Sequence, residues 1–294
     1  MNKLIISGNK RQYKLFDLEN KEETFATVRK TLIFQKGPLF IGDFVSLADD
    51  LTICDFQKRK NLLIRPKIAN IDLALVVTST FKPEFSSYLL EKFLTYLDFC
   101  LVSAAIIFTK IDALNKEELD KILEHKNYYE KLGYNVFCTS KNDEGSFLKI
   151  KEFIKGKKVA FMGQTGAGKS TLINHIDSGF NRAIGSYSEA LGRGKHQTKE
   201  VIFLPFNDGF IADTPGFSSL DLKMIGLKED DLAKYFPGFI SFFDKCYYNN
   251  CKHLLEKECE VKRQVENKYL SNESYDNYKK LISEMREDKK CRQI

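Results

Sequence analysis

Residues 163–170 read Gly163-Gln164-Thr165-Gly166-Ala167-Gly168-Lys169-Ser170, an instance of G-x-x-x-x-G-K-S. Lys158-Val159-Ala160-Phe161-Met162 ahead of it reads as a strand, and Thr171-Leu172-Ile173-Asn174 behind it opens a helix. That strand–loop–helix setting is the one the motif requires, and it argues against an ordinary glycine-rich turn. The glycines let backbone N–H groups curl around phosphate oxygens, and the helix N-terminus adds its partial positive charge. In such a loop Lys169 reaches the β- and γ-phosphates, and the Ser170 hydroxyl ligates Mg2+.

On both sides of this loop strands alternate with helices. Ile71–Val77 and Ala104–Phe108 are near-continuous apolar runs, as expected of parallel strands covered on both faces. Asn135–Cys138, Val201–Leu204 and Phe210–Ala212 are further strands, and Pro83–Phe99, Glu117–Leu132 and Leu148–Ile154 read as helices. The pattern predicts a doubly wound α/β domain over 67–225.

Other strand ends carry matching chemistry. Asp213-Thr214-Pro215-Gly216 closes a strand, where Asp213 can hold Mg2+ through water and the Gly216 N–H can contact a γ-phosphate. Between it and the P-loop lies the basic stretch Gly192-Arg193-Gly194-Lys195-His196-Gln197-Thr198, in which Thr198 offers a second hydroxyl ligand to Mg2+. A plain surface loop is the competing reading there. Thr109-Lys110-Ile111-Asp112 stands at the end of the strand 104–108. A lysine stem can cover a purine, and the Asp112 carboxylate can accept from guanine N1–H and its exocyclic amine, a donor pair adenine lacks. Thr139 and Ser140 end the next strand and can turn backbone N–H groups toward guanine O6. Ordinary small GTPases run P-loop, D-x-x-G, N-K-x-D, then S-A. Here T-K-I-D and T-S precede the P-loop, so the order is that of a circularly permuted GTPase.

The flanks differ in kind. Residues 1–66 hold short β-prone stretches (Leu4–Ser7, Gln12–Phe16, Phe25–Val28, Leu32–Phe34, Phe40–Val45) separated by turn signals. They suggest a small β-barrel, of the OB-fold or an SH3-like kind. Lys58-Arg59-Lys60 is expected as an exposed hairpin tip, with Arg65-Pro66 as a linker. Residues 226–294 are charged and mostly helical, and Cys246-x4-Cys251-x-His253-x5-Cys259 sets three thiols and an imidazole within fourteen residues. That ligand set suits one structural, tetrahedral Zn2+ with all four positions filled by protein. The remaining cysteines, 54, 100, 138 and 291, are scattered, and seven in all at uneven spacing is no secreted disulfide framework.

Composition sets the outer bounds. With 43% hydrophobic and 29% charged residues the chain can build packed cores. No run approaches the roughly 18 apolar residues of a membrane span. Met1–Ser7 is too short and soon too polar for a signal peptide, so a cytoplasmic address without membrane attachment is expected. Of the net charge of +6, residues 1–66 carry +4, from 12 basic and 8 acidic side chains. Alone, that bias says little about a polyanionic partner.

Permuted motif order, G-Q-T-G-A-G-K-S-T, G-R-G-K-H, D-T-P-G-F and C-x4-C-x-H-x5-C together resemble the RsgA family of small-ribosomal-subunit biogenesis GTPases, along essentially the whole chain. The resemblance implies an OB-fold over 1–66, a permuted GTPase core over 67–225 and a zinc-binding domain over 226–294. It implies a GTP hydrolase that binds the maturing 30S subunit and its rRNA, is stimulated by it, and is released on hydrolysis; a monomer is the default expectation. Thr109 departs from the commoner Asn, which removes an amide that ties the guanine loop to the P-loop. Gln197 stands where the family loop usually has Thr, which leaves Thr198 as the Mg2+ candidate. Phe217 cannot orient water, so His196 is the candidate for positioning the nucleophile; an RNA-facing or merely exposed histidine is the competing reading. A passive RNA-binding module and an ATP-using P-loop enzyme are the alternatives in function.

Overall fold

The computed structural model describes residues 2–8, 12–177, 179, 201–213 and 220–291. Five N-terminal strands close on themselves: β1 (Lys3–Gly8), β2 (Tyr13–Asp17), β3 (Glu23–Val28), β4 (Phe44–Leu47) and β5 (Thr52–Phe56). They run round a barrel in the order β1-β2-β3-β5-β4, with β4 paired back onto β1 and only β3–β5 parallel. With α1 (Lys30–Lys36) between β3 and β4, this is the OB-fold. Strand alternation explains the unbroken apolar run of β1. Ile5 joins the barrel core with Leu15, Val45 and Ile53, while Leu4 and Ile6 join a second core containing Phe16, Phe203 and Phe210.

The strand expected at Leu32-Ile33-Phe34 is instead the middle of α1. β-propensity records how well a side chain fits a pleated, half-buried surface, and this segment has no such surface to join. Leu32 drops into the barrel core while Phe34 is 94% exposed. Gly37, at φ 85°, ends the helix and donates to the Ile33 carbonyl at 2.9 Å. Arg59 is likewise no exposed tip. Its Nε and Nη2 grip the fully buried Asp43 carboxylate at 2.7 and 2.8 Å, and its guanidinium lies over Phe40 and Phe56. A buried carboxylate needs such a forked partner, which is why the arginine folds inward. The expected linker is the turn of a hairpin, β6 (Leu62–Ile64) and β7 (Lys67–Ala69). The Tyr96 hydroxyl accepts there from the amides of Ile64 (3.0 Å) and Arg65 (3.1 Å).

The larger sheet holds β8 (Leu73–Ser79), β9 (Ala104–Thr109), β10 (Asn135–Cys138), β11 (Lys158–Met162), β12 (Phe203–Phe206) and β13 (Gly209–Asp213). Their order is β10-β9-β8-β11-β13-β12, parallel except for β12 against β13. The chain enters at β8, winds out to β10, and returns to β11 beside β8. That reversal is a topological switch point, where the loops at the strands' carboxyl ends leave a crevice for a ligand. Alternate residues face opposite layers. Leu75, Val77, Ile107 and Phe161 meet α4 (Glu144–Phe153) and α5 (Lys169–Ile176), while Val76, Ile106 and Phe108 meet α2 (Ser87–Phe99) and α3 (Lys116–Lys131).

Beyond the sheet come the short α6 (Leu232–Tyr235), a cysteine-bearing segment, α7 (Glu260–Glu266) and α8 (Asn272–Cys291). α8 lies along α2, joined by Lys92–Glu284 (2.7 Å) and by Asn277, whose amide donates to Ser87 and Glu91. Among the described residues no helix is long and apolar enough to cross a membrane.

Candidate functional site

The P-loop leaves β11 at Gly163, where only glycine fits: φ is +141° and a Cβ would come within 2.1 Å of the Val77 carbonyl oxygen. The loop thus lies directly on the end of β8. It delivers Gln164, Thr165, Gly166 and Ala167 to Gly168, which caps α5. Lys169 is buried, and its Nζ donates to the carbonyls of Gly163 (2.7 Å) and Gln164 (3.0 Å). Ser170 and Thr171 are exposed on the first turn of α5. A concave run of backbone, a helix N-terminus and an ammonium group here form an anion cradle.

The guanine-motif residues converge on this loop although they precede it in sequence. Thr109 is 5% exposed, and its Oγ1 donates to the Ala167 carbonyl at 2.7 Å. The expected loss of the tie between the two loops therefore does not occur: a threonine hydroxyl reaches the P-loop backbone in the amide's place. Lys110, in the left-handed region at φ 64°, sends Nζ to three carbonyls, those of Gly166 (2.9 Å), Phe81 (3.1 Å) and Lys82 (2.7 Å). Ile111 and Asp112 begin a 3-10 turn (Ile111–Ala113), with the Asp112 carboxylate exposed and accepting from the Lys141 amide at 3.3 Å. Thr139 closes the group, its amide bonded to Phe108 O (2.8 Å) and its carbonyl to Ile111 N (3.4 Å), with Ser140 half-buried beside it. Asp213 ends β13 in register with Phe161 of β11, one strand from the P-loop. His196, Thr198, Gly216 and Phe217 lie outside the described residues, as does the rest of the 192–198 stretch.

No motif marks Ser79, which ends β8, or Thr80, which follows it, and both are buried. The Thr80 amide and hydroxyl both donate to the Thr109 carbonyl, at 3.1 and 2.8 Å. Two hydroxyl residues closing an apolar strand were the available signal.

The second centre comprises Cys246, Cys251, His253 and Cys259, whose ligand atoms all lie within 4.8 Å of one another. A tetrahedral ion with metal–sulfur bonds of about 2.3 Å and metal–nitrogen bonds of about 2.0 Å sets sulfur–sulfur edges near ~3.8 Å and sulfur–nitrogen edges near ~3.5 Å. Cys246 Sγ and Cys259 Sγ stand 3.9 Å apart, and His253 Nδ1 lies 3.5 and 3.4 Å from those sulfurs. The quartet fits a four-coordinate metal. Burial pushes the Cys251 thiol up to about 12 and raises Cys259 too, while it lowers the His253 imidazole. Three thiols and an imidazole converging this closely suit a cation bound between them. Backbone amides already point at them, from Glu260 to Cys246 (3.2 Å) and from His253 to Cys251 (3.4 Å). The Tyr275 and Tyr278 hydroxyls of α8 bond the His253 and Lys252 carbonyls at 2.8 and 3.0 Å, and so hold the ligand loop on the helix.

Known proteins resemble this arrangement over nearly its full length. A family model described as RsgA GTPase matches residues 56–223. The small ribosomal subunit biogenesis GTPase RsgA of Malacoplasma penetrans is 39% identical over 290 residues, spanning 97% of this chain and 100% of that one. The protein of the same name from Enterococcus faecalis is 39% identical over 268 residues, spanning 90% and 89%. Among solved structures, YloQ, described as a circularly permuted GTPase, superposes with a TM-score of 0.79 at 28% identity, covering 97% of this chain and 95% of that one. YjeQ from Thermotoga maritima gives 0.83 at 28% identity, covering 96% and 97%.

Proposed function

The chain belongs to the RsgA GTPase family, and from that premise we propose that it hydrolyses GTP on the maturing small (30S) ribosomal subunit, is stimulated by that subunit, and leaves it on hydrolysis. The observation that carries this reading is the joining of guanine loop to P-loop. Thr109 reaches Ala167 and Lys110 reaches Gly166, although the motifs run in permuted order.

In this reading the amides of residues 163–169 and the Lys169 ammonium hold the β- and γ-phosphates. Ser170 and Thr198, with Asp213 through water, hold Mg2+, which neutralises charge on the phosphates. Thr171 and the Gly216 amide complete the phosphate side. Asp112 accepts from guanine N1–H and its amine, Lys110 covers the ring, and the Thr139–Ser140 amides face O6. His196 orients the attacking water. The Cys246, Cys251, His253 and Cys259 quartet holds one structural Zn2+, since tetrahedral coordination by three sulfurs and one nitrogen, with no open position, suits that ion.

The same proposal divides the chain at 66/67 and 225/226. It gives the OB-fold and the zinc segment to rRNA, consistent with the +4 carried by residues 1–66. It places a monomer in the cytoplasm. Phosphate release from GTP, measured with and without purified small subunits, is the test. Strong stimulation is expected; turnover indifferent to the subunit would mark a passive binding module, and ATP displacing GTP on equal terms would remove the guanine assignment.

A further inference from the structure

The segment that closes β8 and leaves it, Ser79-Thr80-Phe81-Lys82-Pro83, touches both halves of the nucleotide site although no motif marks it. Thr80 is 6% exposed and directs two donors at one atom, its amide at 3.1 Å and its Oγ1 at 2.8 Å from the Thr109 carbonyl oxygen. A carbonyl has two lone pairs, so one residue fills both and fixes the tilt of the peptide that follows Thr109. Ser79 Oγ donates to the Phe81 carbonyl at 2.8 Å and accepts from the Phe81 amide at 3.2 Å, which sets the loop's next turn. That turn aims the Phe81 and Lys82 carbonyls at Lys110 Nζ, whose third acceptor is Gly166 of the P-loop. Pro83 completes the contact, since a Cβ on Gly166 would sit 3.4 Å from Pro83 Cδ.

Asp112 depends on this bracing. Its carboxylate is exposed and accepts only from the Lys141 amide at 3.3 Å among the bonds described, so the backbone from Thr109 onward determines where it stands. Paired hydrogen bonds to N1–H and the exocyclic amine demand that placement, because such bonds weaken steeply with misalignment. Phosphate binding by residues 163–170 makes no such demand.

We propose that the Ser79–Pro83 loop is a third element of the guanine site, with Thr80 as a positioning residue that acts through the Thr109 carbonyl to set how strictly the site demands guanine. The proposal rests on the guanine reading of Asp112. Its test is competition of GDP, inosine diphosphate and ADP against fluorescent GDP on the full chain, for wild type, Thr80→Val and Thr80→Ser. Inosine diphosphate keeps N1–H but lacks the amine. Wild type should prefer GDP to inosine diphosphate. Thr80→Val keeps the shape and loses the Oγ1 donor, and should narrow that preference about fivefold or more. Thr80→Ser should restore it to within about twofold, since it returns the donor. A purely structural strand-end cap would lower the melting temperature of Thr80→Val and leave the preference intact, and that result overturns the proposal. Ser79→Ala reads the same ratio if Thr80→Val does not fold, and an unchanged ratio there overturns it equally. ADP binding wild type as tightly as GDP would overturn the guanine reading itself, an outcome distinct from failure confined to the loop variants.

Discussion

The hydroxyl of Thr109 donates to the carbonyl of Ala167 at 2.7 Å, so the strand that presents the guanine motif holds the P-loop by its backbone. Both residues are buried, so water cannot replace the bond. Thr109→Val leaves the Ala167 carbonyl without its donor, which costs about 1–3 kcal/mol. Weaker binding of GDP and GTP by about tenfold is expected, measured by fluorescent-nucleotide titration. Thr109→Asn, which carries a donor on a longer arm, should bind within a few-fold of wild type. Equal affinity of Thr109→Val and wild type would show that the hydroxyl plays no part in nucleotide binding.

In the proposed reading, Asp112 separates guanine from other bases by the donors it would meet. Asp112→Asn exchanges an acceptor pair for one acceptor and one donor, which suits xanthine. Charge-assisted bonds contribute about 1.5–3 kcal/mol each, so guanine affinity should drop by about two orders of magnitude or more. Xanthosine diphosphate should rise in its place, measured by competition. A variant that still prefers GDP over xanthosine diphosphate would mean that other groups read the base.

The zinc assignment makes a compositional prediction. Purified protein should contain one zinc per chain by atomic emission, and Cys259→Ser should lose most of it. Because ligand sites in such segments form only on folding, metal removal should cost several kcal/mol. The loss should appear as lower protease resistance around 246–291, since Tyr275 and Tyr278 hold α8 on the ligand loop. Metal-free protein as resistant as the loaded form would deny the ion a structural part.

Local chemistry explains what was legible in advance. Glycines with phosphate-loop spacing, a carboxylate two residues past a lysine, and four soft ligands in fourteen residues each carry their constraint in the residues themselves. In the structure the glycine-rich loop leads from β11 into α5, Asp112 sits in the 3-10 turn after β9, and the four ligand atoms lie within 4.8 Å of one another. Leu32–Phe34 misled because apolar content reports burial and β-propensity, whereas the helix there answers to the barrel's closure. Arg59 misled because its partner, Asp43, lies sixteen residues away, beyond any charge-run argument. Thr80 was silent for a related reason: a single hydroxyl gains meaning only once β8 and β9 are side by side.

His196 is proposed to position the attacking water, which is a demand made only in the transition state. His196→Ala should therefore bind GTP as wild type does and lose subunit-stimulated turnover by about 100-fold or more. Lys169→Ala should lose binding and turnover together, since its ammonium meets ground-state phosphates as well. Stimulated turnover retained in His196→Ala, with Lys169→Ala inactive, ends the assignment.

Glu91 gives the fold a pH dependence of defined sign. This α2 residue is wholly buried against α3 and α8, with Oε2 accepting from Asn277 at 2.8 Å and Oε1 from the Tyr129 hydroxyl at 3.3 Å. Burial pushes its carboxyl up to about 7, against the opposing hydrogen bonds from Asn277 and Tyr129. An unfolded chain titrates this group near ~4.3, so the folded state binds the proton more tightly. Its contribution is full below the unfolded value, declines as pH rises, and is gone above about 7, a change of about 4 kcal/mol. Glu91→Gln keeps the volume and an acceptor for Asn277 without titrating. Urea unfolding of both proteins from about pH 5 to about pH 8 isolates the effect, because every other group is common to the pair. Wild type should lose stability relative to Glu91→Gln as pH rises through that range, and a difference independent of pH would show that Glu91 is ionised throughout.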